Sequence, residues 1–232
     1  MKKLILAIVA LIPVAPAVGA ERTFSVADFD RIQIDGSYEV VLATGRPSSA
    51  KAIGSKEGLD RVSIDVQSGT LRIRPNRAVL DGTPGRAAGP VRIEISTRNV
   101  QSAAVRGSGK LNIDGARGLR LALSLSGSGG LAVENVEADN LTIGLVGSGS
   151  VRIAGRAKQL RATVQGSGDL DGSAFKANDV QLVASTAGAV TLGAVRSAKV
   201  SASGSGDVEI LGSPACTVNA QGAGIVRCGT RK

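Results

Sequence analysis

The sequence predicts an all-β protein, a right-handed parallel β-helix, or β-solenoid, with coils of about 19 residues. Two observations carry this prediction: a glycine-rich triplet that recurs at a nearly constant spacing, and strict alternation of apolar and polar residues on both sides of each copy. A fixed period near 20 residues indicates one structural unit that is copied and stacked, because a single copy cannot bury its own apolar face.

The triplet Gly-Ser-Gly begins at Gly107, Gly127, Gly147, Gly166 and Gly204, and degenerate copies begin at Thr186 and Gly222. Glycine suits a sharp corner because it adopts positive φ and allows close approach of a neighbouring chain. We therefore predict structural turns at Gly107, Gly127, Gly147, Gly166, Gly188, Gly204 and Gly222. The same glycines could instead close antiparallel hairpins of a meander. Stacked coils are favoured because every copy places the same chemistry at the same offset.

Apolar residues lie two, four and six positions before each triplet and four and six after it, as in Leu121, Leu123 and Leu125, or Val151 and Ile153. This period of two is typical of strands with one buried face. No segment shows helical spacing, so we expect no helix after residue 20. Before the repeats, we predict strands at 31–36, 38–42, 62–66, 70–73 and 91–96, with loops at 46–50 and 81–90.

The N-terminus has the pattern of a secretory signal peptide over residues 1–20, with Lys2 and Lys3, an apolar run from Leu4 to Ile12, and the small residues Val18-Gly19-Ala20. An apolar run of this length is too short to span a bilayer, so we do not expect a transmembrane protein. We expect an exported protein that is periplasmic, on the outer surface or secreted. Residues 21–232 should form a single domain, with less regular coils in 21–99 and the repeats in 100–228.

Cys216 and Cys228 are the only cysteines. They lie six residues before and six after Gly222, at inward positions of the final copy. In an oxidising compartment, this spacing favours a disulfide that fastens the last coil. The alternative is a pair of small buried thiols.

Composition excludes several kinds of active site. The chain contains no histidine, which rules out Ser-His-Asp and Cys-His catalysis and any imidazole metal site. Two Ser-x-x-Lys matches, at Ser48 and Ser173, lack the companion motifs of penicillin-recognising enzymes. The triplets lack the lysine and the following helix of a phosphate-binding loop. We expect no catalytic residues and no cofactor.

Metal and nucleic-acid ligands are also disfavoured. Asp169, Asp171 and Asp207 follow two of the triplets, but other copies lack oxygen ligands there, as a calcium ladder would require. The net charge of +9 is spread along the chain, and aromatic residues make up only 2% of it. Nucleic-acid binding would need basic clusters with interleaved aromatic residues.

The outward positions five and three residues before each triplet would form a flat face of small and polar residues. Five before the triplet lie Ser102, Ala122, Thr142, Arg161, Gln181, Lys199 and Thr217. Neither column is uniformly basic, so we do not expect a dedicated polyanion groove. The face is either a binding surface or the ordinary solvent face of a solenoid.

Three features of the sequence resemble the head-GIN-domain family of autotransporter adhesins: the opening Phe29 to Gly36, the turn and strand Gln67 to Ile73, and Ser108-Gly109 followed by Leu111 and the later triplets. The resemblance covers nearly the whole mature chain. It implies a right-handed β-helical fold, an envelope or surface location and an adhesive role, and it brings no catalytic residues.

The sequence thus favours a non-enzymatic envelope or surface module; it does not identify the partner, and a cell-envelope or surface glycan or protein is the candidate. Two alternatives are open. One is a polysaccharide-processing enzyme, because β-helices often host such activities. The other is a structural protein that assembles through exposed strands at its ends or edges.

Overall fold

The computed structural model describes residues 20–76 and 89–230. It confirms a β-solenoid of about six turns with coils of about 20 residues. The strands, β1 to β17 in chain order, are Ala20–Phe24, Arg31–Asp35, Glu39–Ala43, Ser49–Gly54, Val62–Gln67, Thr70–Pro75, Arg92–Ser96, Ser102–Gly107, Lys110–Ile113, Ala116–Gly127, Gly130–Gly147, Ser150–Gly166, Asp169–Thr186, Val190–Gly204, Val208–Gly212, Ala215–Gly222 and Val226–Thr230. One short helix, α1, spans Lys56–Asp60.

The repeats stack in parallel and in register. Gly107 pairs with Gly127, Gly127 with Gly147, and Gly147 with Gly166. The apolar columns predicted from the alternation are buried, including one that runs through Leu121, Leu141, Leu160, Val180 and Ala198. Burial of these aliphatic columns is the main source of stability in such a stack.

The corner columns show why the repeat keeps glycine. Gly127 has φ of +121°, and a β-carbon built on it would lie 2.4 Å from the carbonyl oxygen of Gly107. Thr186 occupies the equivalent position in a later coil without positive φ. Its hydroxyl accepts a hydrogen bond from the amide of Gly188 at 2.9 Å and lies 3.3 Å from the carbonyl oxygen of Gly168. The Thr186 side chain therefore stabilises, through hydrogen bonds, a turn that in the other coils is formed by glycine.

All five strands predicted before the repeats are present within a residue or two of the expected bounds, but two predictions were wrong. Helix α1 follows Ser55, whose hydroxyl accepts from the amide of Gly58, and it buries Leu59. A helix of five residues is too short for the periodicity of its side chains to be visible. The predicted loop 46–50 overlaps β4 at Ser49 and Ala50. Most of the predicted loop 81–90 lies outside the described residues.

The N-terminal coils also contain antiparallel pairs, which the sequence did not predict. Strands β5 and β6 form a hairpin around Ser68 and Gly69, and β4 runs antiparallel to both β1 and β7. Strand β2 then pairs in parallel with β8, and β3 with β9, so the irregular coils join the regular stack as one sheet. Within residues 20–76 and 89–230, no helix is long and apolar enough to cross a membrane.

Candidate binding groove

A groove with a volume of about 690 Å³ runs along the solenoid where two of its faces meet. The backbone of Leu121, Leu141 and Leu160 forms its floor, and the side chains of these residues are buried in the core. Its walls are polar side chains that repeat from coil to coil. We call this feature the corner groove.

Two columns form its walls. One wall consists of the residues seven before each triplet, namely Arg120, Asn140, Gln159, Asp179 and Ser197. The other wall consists of the residues five before each triplet, namely Ser102, Ala122, Thr142, Arg161 and Gln181. Arg31 and Gln101 extend the groove toward the N-terminal coils. Because parallel strands lie about 4.8 Å apart, polar groups recur along the groove at that interval.

Three arginines and one carboxylate line the groove, but Arg31 is already paired with Asp30 at 3.3 Å, so the excess positive charge comes from the other two arginines. That carboxylate, Asp179, is already paired: the Arg196 Nε donates to it at 3.0 Å, a second guanidinium nitrogen also donates, and the Ser197 hydroxyl donates at 2.6 Å. The Arg196 hydrogen bonds, followed by that of Ser197, lower the pKa of Asp179 to about 2. Asp179 therefore remains ionised and neutralised by Arg196 at ordinary pH.

Several donors in the groove remain available. Arg161 donates to the Gln181 side-chain oxygen at 3.0 and 3.3 Å, which leaves the other guanidinium hydrogens pointing at solvent. In the described part of the chain, no hydrogen bond or ion pair engages the side chains of Arg120 and Gln159. Exposed guanidinium and amide groups arrayed on a rigid sheet can bind carboxylate, sulfate and hydroxyl groups of an extended ligand.

Sequence reasoning found only one wall of this groove. The column five before the triplet was expected to belong to a flat face, together with the column three before it, which includes Ser124, Gly144 and Val183. In the structure, this column also lies against the column seven before the triplet and against Arg31. A signal was present in the sequence, since four of the five residues from Arg120 to Ser197 at that offset are Arg, Asn, Gln or Asp. The bend between the two faces of the solenoid, however, could not be predicted from the sequence.

The carboxylates that follow the triplets have structural partners. Asp169 accepts from the amide of Ala189 at 2.8 Å, and Asp207 accepts from the amide of Ile225 at 2.9 Å, so each bonds the next coil. Asp171 accepts from the Ser173 amide at 3.1 Å and pairs with Arg152. Among the described residues, no group of three or more potential metal ligands is brought together.

The two Ser-x-x-Lys matches also make structural contacts. The Ser48 hydroxyl donates to Asp28 at 2.7 Å, and Lys51 forms an ion pair with Glu21 at 2.9 Å. In the second match, the Ser173 amide donates to Asp171, and Lys176 lies on an exposed face of β13. Neither arrangement resembles a serine activated by a lysine.

The predicted turn glycines and cysteines lie as follows. Positive φ is found at five of the predicted turn glycines, Gly107, Gly127, Gly147, Gly166 and Gly204. Gly222 pairs with Gly204, and Gly188 packs on Gly168. Cys216 and Cys228 are joined by a disulfide across the last coil. Cys216 is in register with the buried Ala198 but is itself exposed, because no described coil covers it.

Solved structures share this fold. A "putative adhesin" from Bacteroides fragilis superimposes with a TM-score of 0.82 at 18% identity, over 91% of this chain and 97% of that one. A "putative lipid binding protein" from Parabacteroides distasonis gives 0.72 at 18% identity, over 91% and 97%. A "putative adhesin" from Parabacteroides merdae gives 0.65 at 14% identity, over 91% and 96%. These likenesses establish the fold alone.

The family comparison goes further. A search of the curated proteins finds no match for this sequence. Residues 28–214 match the profile of the family described as "putative auto-transporter adhesin, head GIN domain". The match begins just before β2, ends just before β16 and contains every coil that forms the corner groove, so the chain belongs to this head-GIN-domain family.

Proposed function

We propose that this protein is an exported, non-catalytic adhesin-like module that binds an extended acidic glycan along the corner groove. The observation that carries the proposal is the groove itself, in which arginine, amide and hydroxyl groups repeat at the spacing of the coils. The family's description as an adhesin supports a binding role on the cell surface.

Charge and composition select the ligand class. Arg196 already neutralises the carboxylate of the groove, and Arg31 is paired with Asp30, so Arg120 and Arg161 supply an excess of positive charge that favours a ligand with negative charges. No aromatic residue lines the groove, so stacking on sugar rings, the usual means of holding a neutral glycan, is absent from its described walls. Recognition would rest on hydrogen bonds and charge pairs, which are individually weak and are summed over several coils.

The rigid, parallel stack also supports a binding role over an enzymatic one. Asp179, the only carboxylate among the described residues that line the groove, has a lowered pKa and so lacks the raised pKa that a general acid needs. Without histidine, and with Asp179 held by two neighbours, the groove contains donors that position a ligand and no pair of groups arranged for proton transfer.

The experiment compares mature protein with two double variants. Immobilised protein is titrated with acidic polysaccharides, such as polygalacturonate, alginate and chondroitin sulfate, and with neutral dextran. We expect binding to an acidic polymer that weakens as salt is raised, and a loss of at least tenfold in affinity in Arg120→Ala/Arg161→Ala. The matched control, Arg92→Ala/Arg152→Ala, removes two exposed arginines from another face and should bind as the unaltered protein does.

Three results would contradict the proposal. The first is no binding to any acidic polymer, and the second is an equal loss of affinity in both double variants. The third is release of reducing ends or unsaturated sugars on prolonged incubation, which would favour the polysaccharide-processing alternative. Protease accessibility on intact cells, compared with that after outer-membrane permeabilisation, tests whether the protein is on the surface.

A further inference from the structure

The exposed cations along the corner groove occur on alternate coils. Arg120 lies on β10, Arg161 on β12 and Lys199 on β14, so one coil, β11 or β13, separates each from the next. Lys199 is in register with Gln181 and extends the second wall by one coil. All three side chains are exposed. Among residues 20–76 and 89–230, none of the three has an ion-pair partner, so each presents a net positive charge.

The coils between these cations present no net charge to the groove. Strand β11 contributes Asn140 and Thr142 to the walls. Strand β13 contributes Gln181 and Asp179, and Arg196 neutralises that carboxylate. An acidic group of a ligand placed at β13 would lie beside the Asp179 carboxylate, and like charges at close range oppose binding. The groove therefore alternates between coils that attract an anion and coils that do not.

The interval between successive cations is two coils, or about 10 Å, because parallel strands lie about 4.8 Å apart. Arg31 lies two coils before Arg120 and continues this interval, but its charge is paired with that of Asp30. A sugar ring linked through opposite sides advances a glycan by about the thickness of one coil, so successive cations face every second sugar. An extended peptide repeats the side chains of one face at about 6.6 Å, which does not match the interval.

We infer that the ligand of the corner groove is a glycan of disaccharide repeats in which an acidic sugar alternates with a neutral one. This inference rests on the proposed function, since it names the kind of acidic glycan that the groove selects. Arg120 on the first wall, and Arg161 and Lys199 on the second, pair with the acidic groups of successive repeats. A polymer with a carboxylate on every sugar is disfavoured, because its additional charges face Asn140 and Asp179.

The first experiment compares two oligosaccharides of equal length at one ionic strength. Hyaluronan carries one carboxylate per disaccharide, and polygalacturonate carries one on every sugar. Calorimetric titration of the mature protein measures both affinities. We expect hyaluronan to bind about fivefold more tightly although it carries half the charge, since about fivefold is the usual contribution of one exposed charge pair. A poly-glutamate peptide, which represents the competing class of ligand, should bind more weakly than hyaluronan.

A register variant tests whether the alternation is the cause. Arg161→Thr/Thr142→Arg moves one cation to the neighbouring coil without changing the composition or the net charge of the protein. The cations then lie on β10, β11 and β14, so we expect the preference for hyaluronan to disappear. The matched control, Arg106→Ser/Ser126→Arg, moves an arginine by one coil outside the groove and should retain the preference. Circular dichroism verifies that both variants are folded.

Equal or tighter binding of polygalacturonate or poly-glutamate would overturn the inference, because affinity would then follow charge density or a peptide backbone. So would a preference that the register variant retains, or one that the control also loses. Binding of acidic polymers without the preference would reject the alternating ligand and retain the proposed function. Absence of binding to every acidic polymer would reject both.

Discussion

Gly147 stacks directly on Gly127 of the preceding coil: a β-carbon at Gly147 would lie 2.4 Å from the Gly127 carbonyl oxygen, and its φ is +117°. Two constraints therefore act at once. Residues other than glycine are strained at this φ, and the neighbouring oxygen belongs to backbone that is fixed in the stack. Three residues earlier, Gly144 lies in β11 with no atom within 4 Å of where its β-carbon would be.

The first prediction compares these two glycines. We expect Gly147→Ala to lower the free energy of unfolding by about 2–4 kcal/mol, because it adds a clash to the strain of positive φ. Gly144→Ala should leave stability unchanged or raise it by up to about 1 kcal/mol, because alanine restricts the unfolded chain. Denaturant unfolding followed by circular dichroism measures both, and equal effects would show that the glycine column is not a packing requirement.

The sequence predicted the repeat region well because there a side chain's environment depends on its offset from the triplet. Leu141 is buried for the same reason as Leu121 and Leu160. The N-terminal coils were predicted less completely, because β1 and β4 lack a repeated partner and α1, with five residues, is too short to show a helical period. Only one of the two walls of the corner groove was predicted. Its second wall depends on the bend between faces, which places Arg120 opposite Ala122 and which no alternation pattern encodes.

The second prediction concerns Thr97, which is buried and donates its hydroxyl to the carbonyl oxygen of Phe29 at 2.6 Å. This bond holds the chain before β2 against the coil that follows β7. Thr97→Val keeps the shape but leaves the Phe29 carbonyl without this donor, so we expect a loss of about 1–3 kcal/mol. Thr97→Ser retains the hydroxyl and should lose less. Chemical denaturation of both variants measures these losses, and a larger loss in Thr97→Ser than in Thr97→Val would attribute the effect to the methyl group instead of the hydroxyl.

The third prediction is that the Cys216–Cys228 disulfide forms in the exported protein and orders the last coil. Unfolded, unreduced mature protein should show no reactive thiols, and two reactive thiols would refute the bond. Closing a loop of this size is worth about 3 kcal/mol by chain-entropy arguments. We therefore expect Cys216→Ser/Cys228→Ser to raise amide hydrogen exchange in β16 and β17, while β11 and β12 remain protected. Uniform loss of protection would mean that the coils unfold as one unit.

The fourth prediction follows from Asp179, whose pKa the hydrogen bonds from Arg196 and Ser197 lower from 3.8 to about 2. A carboxylate with a lowered pKa in the folded state stabilises the fold at pH values above its ordinary pKa. That contribution is lost as pH falls from about 4 through about 2, because the proton then binds the unfolded chain more tightly. Glu137, beside Arg156, and Asp171, beside Ser173, have lowered pKa values and act in the same direction.

Carbon-detected NMR titration of the Asp179 carboxyl group tests the cause directly. The midpoint should lie near pH 2 in the unaltered protein and move up toward the ordinary value in Arg196→Gln, which removes the larger contribution. Ser197→Ala should shift it in the same direction by less. Denaturant unfolding between pH 2 and pH 7 should show a shallower loss of stability in Asp179→Asn than in the unaltered protein. A midpoint near pH 4 in unaltered protein would mean that Arg196 spends its time in solvent, and the corner groove would then carry an unpaired carboxylate that repels the acidic glycan we propose.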